Sequence, residues 1–249
     1  MTRAPLTAKL RGWAVVSFWA LSLLVMGVPA LILYVFVRNS KVIFSPTRFG
    51  CWLGFKLGGI KFIVQGLEKL QPDQAYIFVA NHQSLLDPPA MLVYLKRDFG
   101  FLAKKELFRL PVFNPGLYWI DCVPIDRSNR EAAIRSTQRA AEKIRRGRSI
   151  IAYPEGTRSP DGKMRPFKRG AFHMALESGA AIVPVTLDGT YELMPKGPIC
   201  IFPGTAHITV HDPLDVTAYC TETVGELAET AYRIIDSALR DSRAATHGH

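Results

Sequence analysis

The sequence predicts an α/β fold: a mainly parallel β-sheet flanked by helices, with an N-terminal helical membrane anchor. Three observations carry that prediction. From about residue 61 onward, short β-rich runs alternate with helical stretches, as a parallel sheet requires, because each strand needs a crossover to return. Candidate chemical groups fall repeatedly just after these runs, where sheets of this kind gather their ligands. Ahead of them, residues 12–37 contain no charge, while Arg3, Lys9 and Arg11 precede and Arg38 and Lys41 follow. As one helix that segment spans about 39 Å, enough for a bilayer core of about 30 Å.

The chain divides accordingly into membrane-anchoring helices over residues 1–60, an α/β domain over 61–240 and a flexible tail over 241–249. At 249 residues it has room for one catalytic domain with a full core and an appendage. A shallow helical hairpin broken near Gly27-Val28-Pro29 is the preferred reading of the anchor, with both ends on the cytoplasmic side; a single span is the alternative. A cleavable signal peptide fits less well, because the apolar stretch is long and lacks a small-x-small site. Residues 44–60 mix Phe49, Trp52, Leu53, Phe55 and Leu57 with Arg48 and Lys56. They suit an interfacial amphipathic helix and equally a helix packed on the domain core.

Strands are expected at 62–64, 76–80, 99–103, 123–125, 149–153, 181–187 and 206–210. Helices are expected near 88–96, 131–146, 171–178 and 222–239. The tail, rich in Ser, Ala, Gly and His, is expected to fray. Four scattered cysteines suggest neither a zinc ribbon nor a disulfide framework, and a reducing compartment fits. The histidines show no His-Glu-x-x-His pattern, so no metal site is expected.

A formal charge of +10 and a pI near 9.6 imply an anionic partner. Nucleic acid would leave the uncharged N-terminal segment and the most chemical motif idle, so membrane lipid is the better partner and no nucleic acid is expected. That motif is Asn81-His82-Gln83-Ser84-Leu85-Leu86-Asp87, directly after the apolar run at 76–80. A histidine titrates nearest neutral pH, and a carboxylate on one ring nitrogen fixes the tautomer and strengthens the other as a proton acceptor. If Asp87 opens a helix, its carboxylate can fold back toward His82. Taken alone the pair also fits an ordinary turn, but three further segments follow in order. They are Val123-Pro124-Ile125-Asp126-Arg127, Tyr153-Pro154-Glu155-Gly156-Thr157-Arg158-Ser159 and Ile182-Val183-Pro184-Val185-Thr186-Leu187-Asp188-Gly189.

These four ordered blocks resemble those of the glycerolipid acyltransferases, specifically the 1-acylglycerol-3-phosphate O-acyltransferases, over roughly residues 60–215. Two departures stand out: Tyr153 replaces a frequent Phe, and Asn114-Pro115-Gly116 sits where a single glycine after Phe is more usual. The resemblance implies transfer of a fatty acyl group from acyl-CoA or acyl carrier protein to the sn-2 hydroxyl of lysophosphatidic acid, giving phosphatidic acid. The thioester is a co-substrate, and no cofactor is implied.

His82 and Asp87 are then the catalytic candidates, His82 taking the hydroxyl proton and Asp87 holding the imidazole. Ser84 lacks a Gly-x-Ser-x-Gly elbow and reads as a turn residue rather than a nucleophile. Arg158 and Arg127 are the lead phosphate ligands, since the guanidinium fork matches phosphate oxygens, with Lys104 in support. An ion pair with Asp126, or a solvated loop, is the plainer reading of Arg127. Glu155, Gly156 and Thr157 complete the acceptor-binding candidates, Glu155 by hydrogen-bonding the acceptor or orienting Arg158. Lys163, Arg165, Lys168 and Arg169 suit a charged surface loop or a donor contact. Arg135, Arg139, Lys143, Arg145, Arg146 and Arg148 suit a solvated or membrane-facing patch. The fourth block reads as a buried strand with Pro184 at an irregular point. Another lysolipid acceptor, or a noncatalytic lipid-binding role, is the alternative, and the sequence carries no signal of oligomeric state.

Overall fold

The computed structural model describes residues 4–110, 113–126 and 129–247. In chain order the elements are α1 (Leu6–Ser22), α2 (Val28–Val37), α3 (Lys41–Leu57), β1 (Ile60–Gln65), β2 (Ile77–Ala80), α4 (Asp87–Tyr94) and β3 (Phe99–Lys104). There follow α5 (Phe113–Trp119), β4 (Val123–Ile125), α6 (Arg130–Arg145), β5 (Ser149–Ala152), α7 (Gly170–Ser178), β6 (Ile182–Asp188), α8 (Thr190–Leu193), β7 (Gly204–Val210) and α9 (Val224–His247).

Seven strands form one sheet in the order β1-β7-β6-β2-β5-β3-β4. From β6 to β4 every pairing is parallel, and helical crossovers α4, α5, α6 and α7 return the chain each time. The β6–β7 pairing is antiparallel, so β1 and β7 run against the rest. The central strand β2 is buried on both faces, which is why its sequence is a continuous apolar run rather than an alternating one. Phe78 and Ala80 face a core shared with Phe44, Phe55, Leu86 and Met91, under α3 and α4. Ile77 and Val79 face Ala140, Phe172, Leu227 and Ala231, under α6, α7 and α9. Pro184 lies inside β6 without cost, because its carbonyl accepts from His211 just beyond the end of β7. Its missing N–H points to that same side, in the gap between the end of β7 and the isolated Ile182–Leu214 bridge, where the ladder is interrupted.

The N-terminal segment corrects one expectation. Residues Leu6–Val37 form one helix, with a π turn at Leu23–Gly27, and are not broken at Gly27-Val28-Pro29. Pro29 occupies the first turn of α2, where a missing donor is tolerated, and the widened turn before it accommodates the ring. The reversal comes at Arg38, in the left-handed conformation (φ 54°), at the first charge after the apolar run. From there α3 folds back antiparallel on α1. A Cβ on Gly54 would lie 1.9 Å from Trp19 Nε1, and one on Gly50 3.3 Å from Ser22, so these glycines set how closely the two helices meet.

The long helix turns most of its apolar surface outward: Phe36 is 79 % exposed and Val25 63 %. Its length spans a bilayer core, and this surface associates the protein with a membrane. Both readings of residues 44–60 apply, on opposite faces of α3. Phe44 and Phe55 are in the core, while Phe49, Trp52 and Leu57 are exposed. At the other end α9 continues to His247, through most of the segment expected to fray; no glycine or proline interrupts residues 226–247, and Ser242 donates to Asp188.

Candidate active site

The site forms where the central strands end. β2 closes on Asn81, whose side chain pairs with the backbone of β6 in both directions. Its Nδ2 donates to Leu187 O and its Oδ1 accepts from Leu187 N, each at 2.7 Å. This side-chain clamp extends the ladder by one residue and fixes the point at which the chain turns. His82 follows at once.

Asp87 opens α4, yet its carboxylate points back rather than capping its own helix. Oδ2 accepts from Gln83 N at 2.7 Å and Ser84 N at 2.8 Å, and lies 2.8 Å from His82 Nδ1. The carboxylate is fully buried, and Oδ1 has no hydrogen-bond partner among the described residues. An acceptor-only group at Nδ1 places the ring proton there and leaves the Nε2 lone pair for a substrate. Ser84 Oγ donates to Met194 O and accepts from Leu86 N, so its hydroxyl serves the turn.

Two further residues hold the histidine. Tyr153, just past β5, stacks on the imidazole with centroids 4.3 Å apart and planes 27° from parallel. Burial pushes its phenol well above the ordinary tyrosine range, and the Asp87 charge adds to the shift, so it stays neutral. Glu155 Oε1 accepts from His82 N at 2.7 Å, and Oε2 accepts from Arg165 N at 3.0 Å. Both carboxylate oxygens therefore accept from main-chain groups, His82 N and Arg165 N. Burial raises Glu155 to about 7, against the opposing pull of those two N–H bonds. Ser159 N donates to His82 O at 2.8 Å. The segment 155–159 thus grips the histidine backbone from both sides.

Gly156 takes a φ of +77°, and a Cβ there would lie 3.0 Å from Lys168 Nζ, so glycine permits both the turn and the approach of that lysine. Thr157 is exposed, and Arg158 is half-buried with its carbonyl accepting from Lys196. Lys104 ends β3 with its side chain 62 % exposed and Nζ 3.6 Å from Glu106. Its neighbour Lys105 meets Asp126 at 2.5 Å, tying the ends of β3 and β4 together. Arg127 lies outside the described residues.

The structure therefore joins His82, Asp87 and Glu155 by direct bonds, carries Gly156, Thr157 and Arg158 alongside them, and sets Lys104 two strands away. Sequence reasoning noted Tyr153 only as a replacement for Phe and missed its stack on His82. It also missed the cavity of about 70 Å³ lined by Tyr153, Pro154, Gly156 and Lys168. The Phe167-Lys168-Arg169-Gly170 run was the available signal for the latter.

The geometry is that of a histidine held by a buried carboxylate at the end of the parallel strands, and comparison with known proteins gives it a family. A family model described as acyltransferase matches residues 61–188. A chloroplastic 1-acyl-sn-glycerol-3-phosphate acyltransferase of Arabidopsis thaliana is 34 % identical over 175 residues, 68 % of this chain and 49 % of its own. The 1-acyl-sn-glycerol-3-phosphate acyltransferase of Borreliella burgdorferi is 36 % identical over 160 residues, 64 % of each chain. The crystal structure of the 1-acyl-sn-glycerophosphate (LPA) acyltransferase of Thermotoga maritima shares the fold at a TM-score of 0.81 and 28 % identity, covering 96 % of both chains. The chain belongs to the acyltransferase family, in its LPA acyltransferase group. It spans about half the length of the Arabidopsis relative and nearly all of the Thermotoga chain.

Proposed function

We propose that the protein is a 1-acylglycerol-3-phosphate O-acyltransferase, moving a fatty acyl group from an acyl-CoA or acyl carrier protein thioester to the sn-2 hydroxyl of lysophosphatidic acid. The observation that carries this reading is the bond between His82 Nδ1 and the buried Asp87 carboxylate at the end of β2, which leaves Nε2 as the proton acceptor. The names of the relatives support the choice of acceptor.

In this mechanism the acceptor oxygen attacks the thioester carbonyl carbon as His82 Nε2 takes its proton. Asp87 stabilises the imidazolium, and collapse of the tetrahedral adduct breaks the carbon–sulfur bond, the proton passing to the departing thiolate. Arg158 and Arg127 bind the phosphate, with Lys104 adding charge from β3. Glu155 positions the base through its peptide N–H, and Gly156 and Thr157 shape the loop between them. The catalytic domain sits on the cytoplasmic face of the inner membrane, where thioester donors are made; protection of residues 61–240 from protease in intact cells, and its loss on lysis, tests that face.

The decisive assay offers one labelled acyl thioester to the detergent-solubilised protein with lysophosphatidic acid, glycerol 3-phosphate or a zwitterionic lysolipid. Preference for lysophosphatidic acid, lost in Arg158→Ala, is expected. Turnover of another lysolipid with lysophosphatidic acid ignored would refute the acceptor and keep the His82 chemistry.

A further inference from the structure

Away from the catalytic edge, the last turns of α6 and the start of β5 carry Arg139, Lys143, Arg146 and Arg148. These four cations, with Asp121 and Glu142, line a concavity of about 280 Å³. Asp121 sits just ahead of β4 and Arg148 just ahead of β5, so the concavity opens at the end of the sheet opposite His82. Asp121 organises it. Its backbone takes a left-handed φ of 63°, and its carboxylate divides between two cations, Oδ1 to Lys143 at 2.5 Å and Oδ2 to Arg148 at 2.9 Å. Basic residues in the last turn of a helix ordinarily answer its partial negative end. That explains Lys143 and Arg146 in part. It does not explain Arg139, nearly two turns earlier, or Arg148 beyond the helix, both converging on the same hollow.

The position relative to the apolar helix identifies the ligand. Tyr34, one turn before the charged end of α2, stacks on Trp119 with centroids 4.9 Å apart, and a Cβ on Gly116 would meet Leu31 at 3.3 Å. This run of contacts lays α5 along the membrane helix, and a Tyr–Trp pair at the end of an apolar segment marks the bilayer interface. Asp121 follows Trp119 by two residues, at most about 7 Å of chain. A headgroup layer is of that same order, roughly 5–7 Å per leaflet. The cationic hollow therefore lies close to the Tyr34–Trp119 pair at that end of the apolar helix.

We propose that this concavity between the end of α5 and the last turns of α6 binds the phosphate-bearing headgroup of an anionic phospholipid, orienting the domain on the membrane. The inference rests on the membrane-associated reading of the N-terminal helix. Excess positive charge draws a phosphodiester in, and Asp121 holds Lys143 and Arg148 ready before it arrives.

The test is flotation of the full-length protein with vesicles of phosphatidylcholine alone or mixed with phosphatidylglycerol. Wild-type protein should bind both and prefer the mixture. The Arg139→Gln/Arg146→Gln protein, altered only at exposed positions, should keep its phosphatidylcholine binding and lose roughly tenfold or more of the preference. Arg233→Gln/Arg240→Gln removes the same charge from α9 and should retain the preference. An equal loss in that control would show diffuse attraction and overturn the site. Equal binding of wild type to both vesicles would also overturn it, whereas no binding to either would instead remove the membrane reading on which it rests. Tight binding of inorganic phosphate without vesicles, abolished by Arg139→Gln/Arg146→Gln and unaccompanied by a lipid preference, would reassign the hollow to a soluble ligand.

Discussion

The two halves of the candidate site are built on different principles. At the base, His82 and Asp87 are 17 % and 0 % exposed in their side chains, and the Asp87 Oδ2 atom alone gathers two main-chain N–H groups and the imidazole. At the cationic half, Lys104 is 62 % exposed and pairs loosely with Glu106, and Arg158 is half-buried on a turn. Proton transfer tolerates little misplacement and repays a rigid, buried mount. Recognition of a phosphate group works through a field that long side chains can adjust to deliver. The lesson is that damage to the first half should be large and insensitive to salt, and damage to the second smaller and screened.

The largest effect should come from His82→Ala. Turnover should fall by roughly a hundredfold to ten-thousandfold with little change in unfolding temperature, at any ionic strength. Residual activity near wild type in a purified sample would end the base assignment. Asp87→Asn should lose comparable turnover and destabilise as well, by about 2 kcal/mol, because a neutral amide replaces a charge-assisted acceptor; a calorimetric scan reads the second part.

Glu155→Gln comes next. The amide cannot accept from both His82 N and Arg165 N, so about 1–3 kcal/mol of stability should go. The folded-state value of about 7 lies above the ordinary 4.5, so the contribution of Glu155 is fully present below about pH 4.5 and is lost as pH rises through about 7. That shift corresponds to about 3 kcal/mol. The excess stability of wild type over Glu155→Gln should therefore shrink across this window, and unfolding temperatures that differ by a constant amount from pH 4.5 to 7 would contradict it.

Arg158→Ala should lower kcat/KM for phosphate-bearing acceptors by about tenfold or more at low salt, with the gap narrowing as salt is added. Lys104→Gln should show the smallest change, less than about threefold, and vanish first on screening. A salt-independent loss at either position would mean that the cationic half is mounted as firmly as the base.

The sequence made the first half legible because it is local. A strand of continuous apolar residues, a turn and a helix-opening Asp87 lie within a dozen positions, and their geometry follows from propensity and spacing. All seven strands were likewise legible, within two residues at most ends, because each strand carries its own β-rich pattern. What escaped notice is tertiary. The Glu155 bond to His82 N joins residues 73 apart, and nothing near Glu155 indicates that its partner is a peptide group rather than Arg158. The helix reversal was misplaced because proline was weighed without the π turn that accommodates it. The short helices α5 and α8, of seven and four residues, are too short to leave a periodic pattern, and the composition of the C-terminal tail obscured residues that continue α9.

The grip of segment 155–159 on His82 has a kinetic meaning. Ser159 holds the histidine carbonyl and Glu155 its amide, so the turn that carries Arg158 is tied to the backbone of His82. An acceptor that draws Arg158 into place also sets the imidazole in line, and one without a phosphate forfeits that alignment. Selectivity should then register as lost turnover at saturating acceptor, and the binding energy of the phosphate is converted into the timing of proton removal.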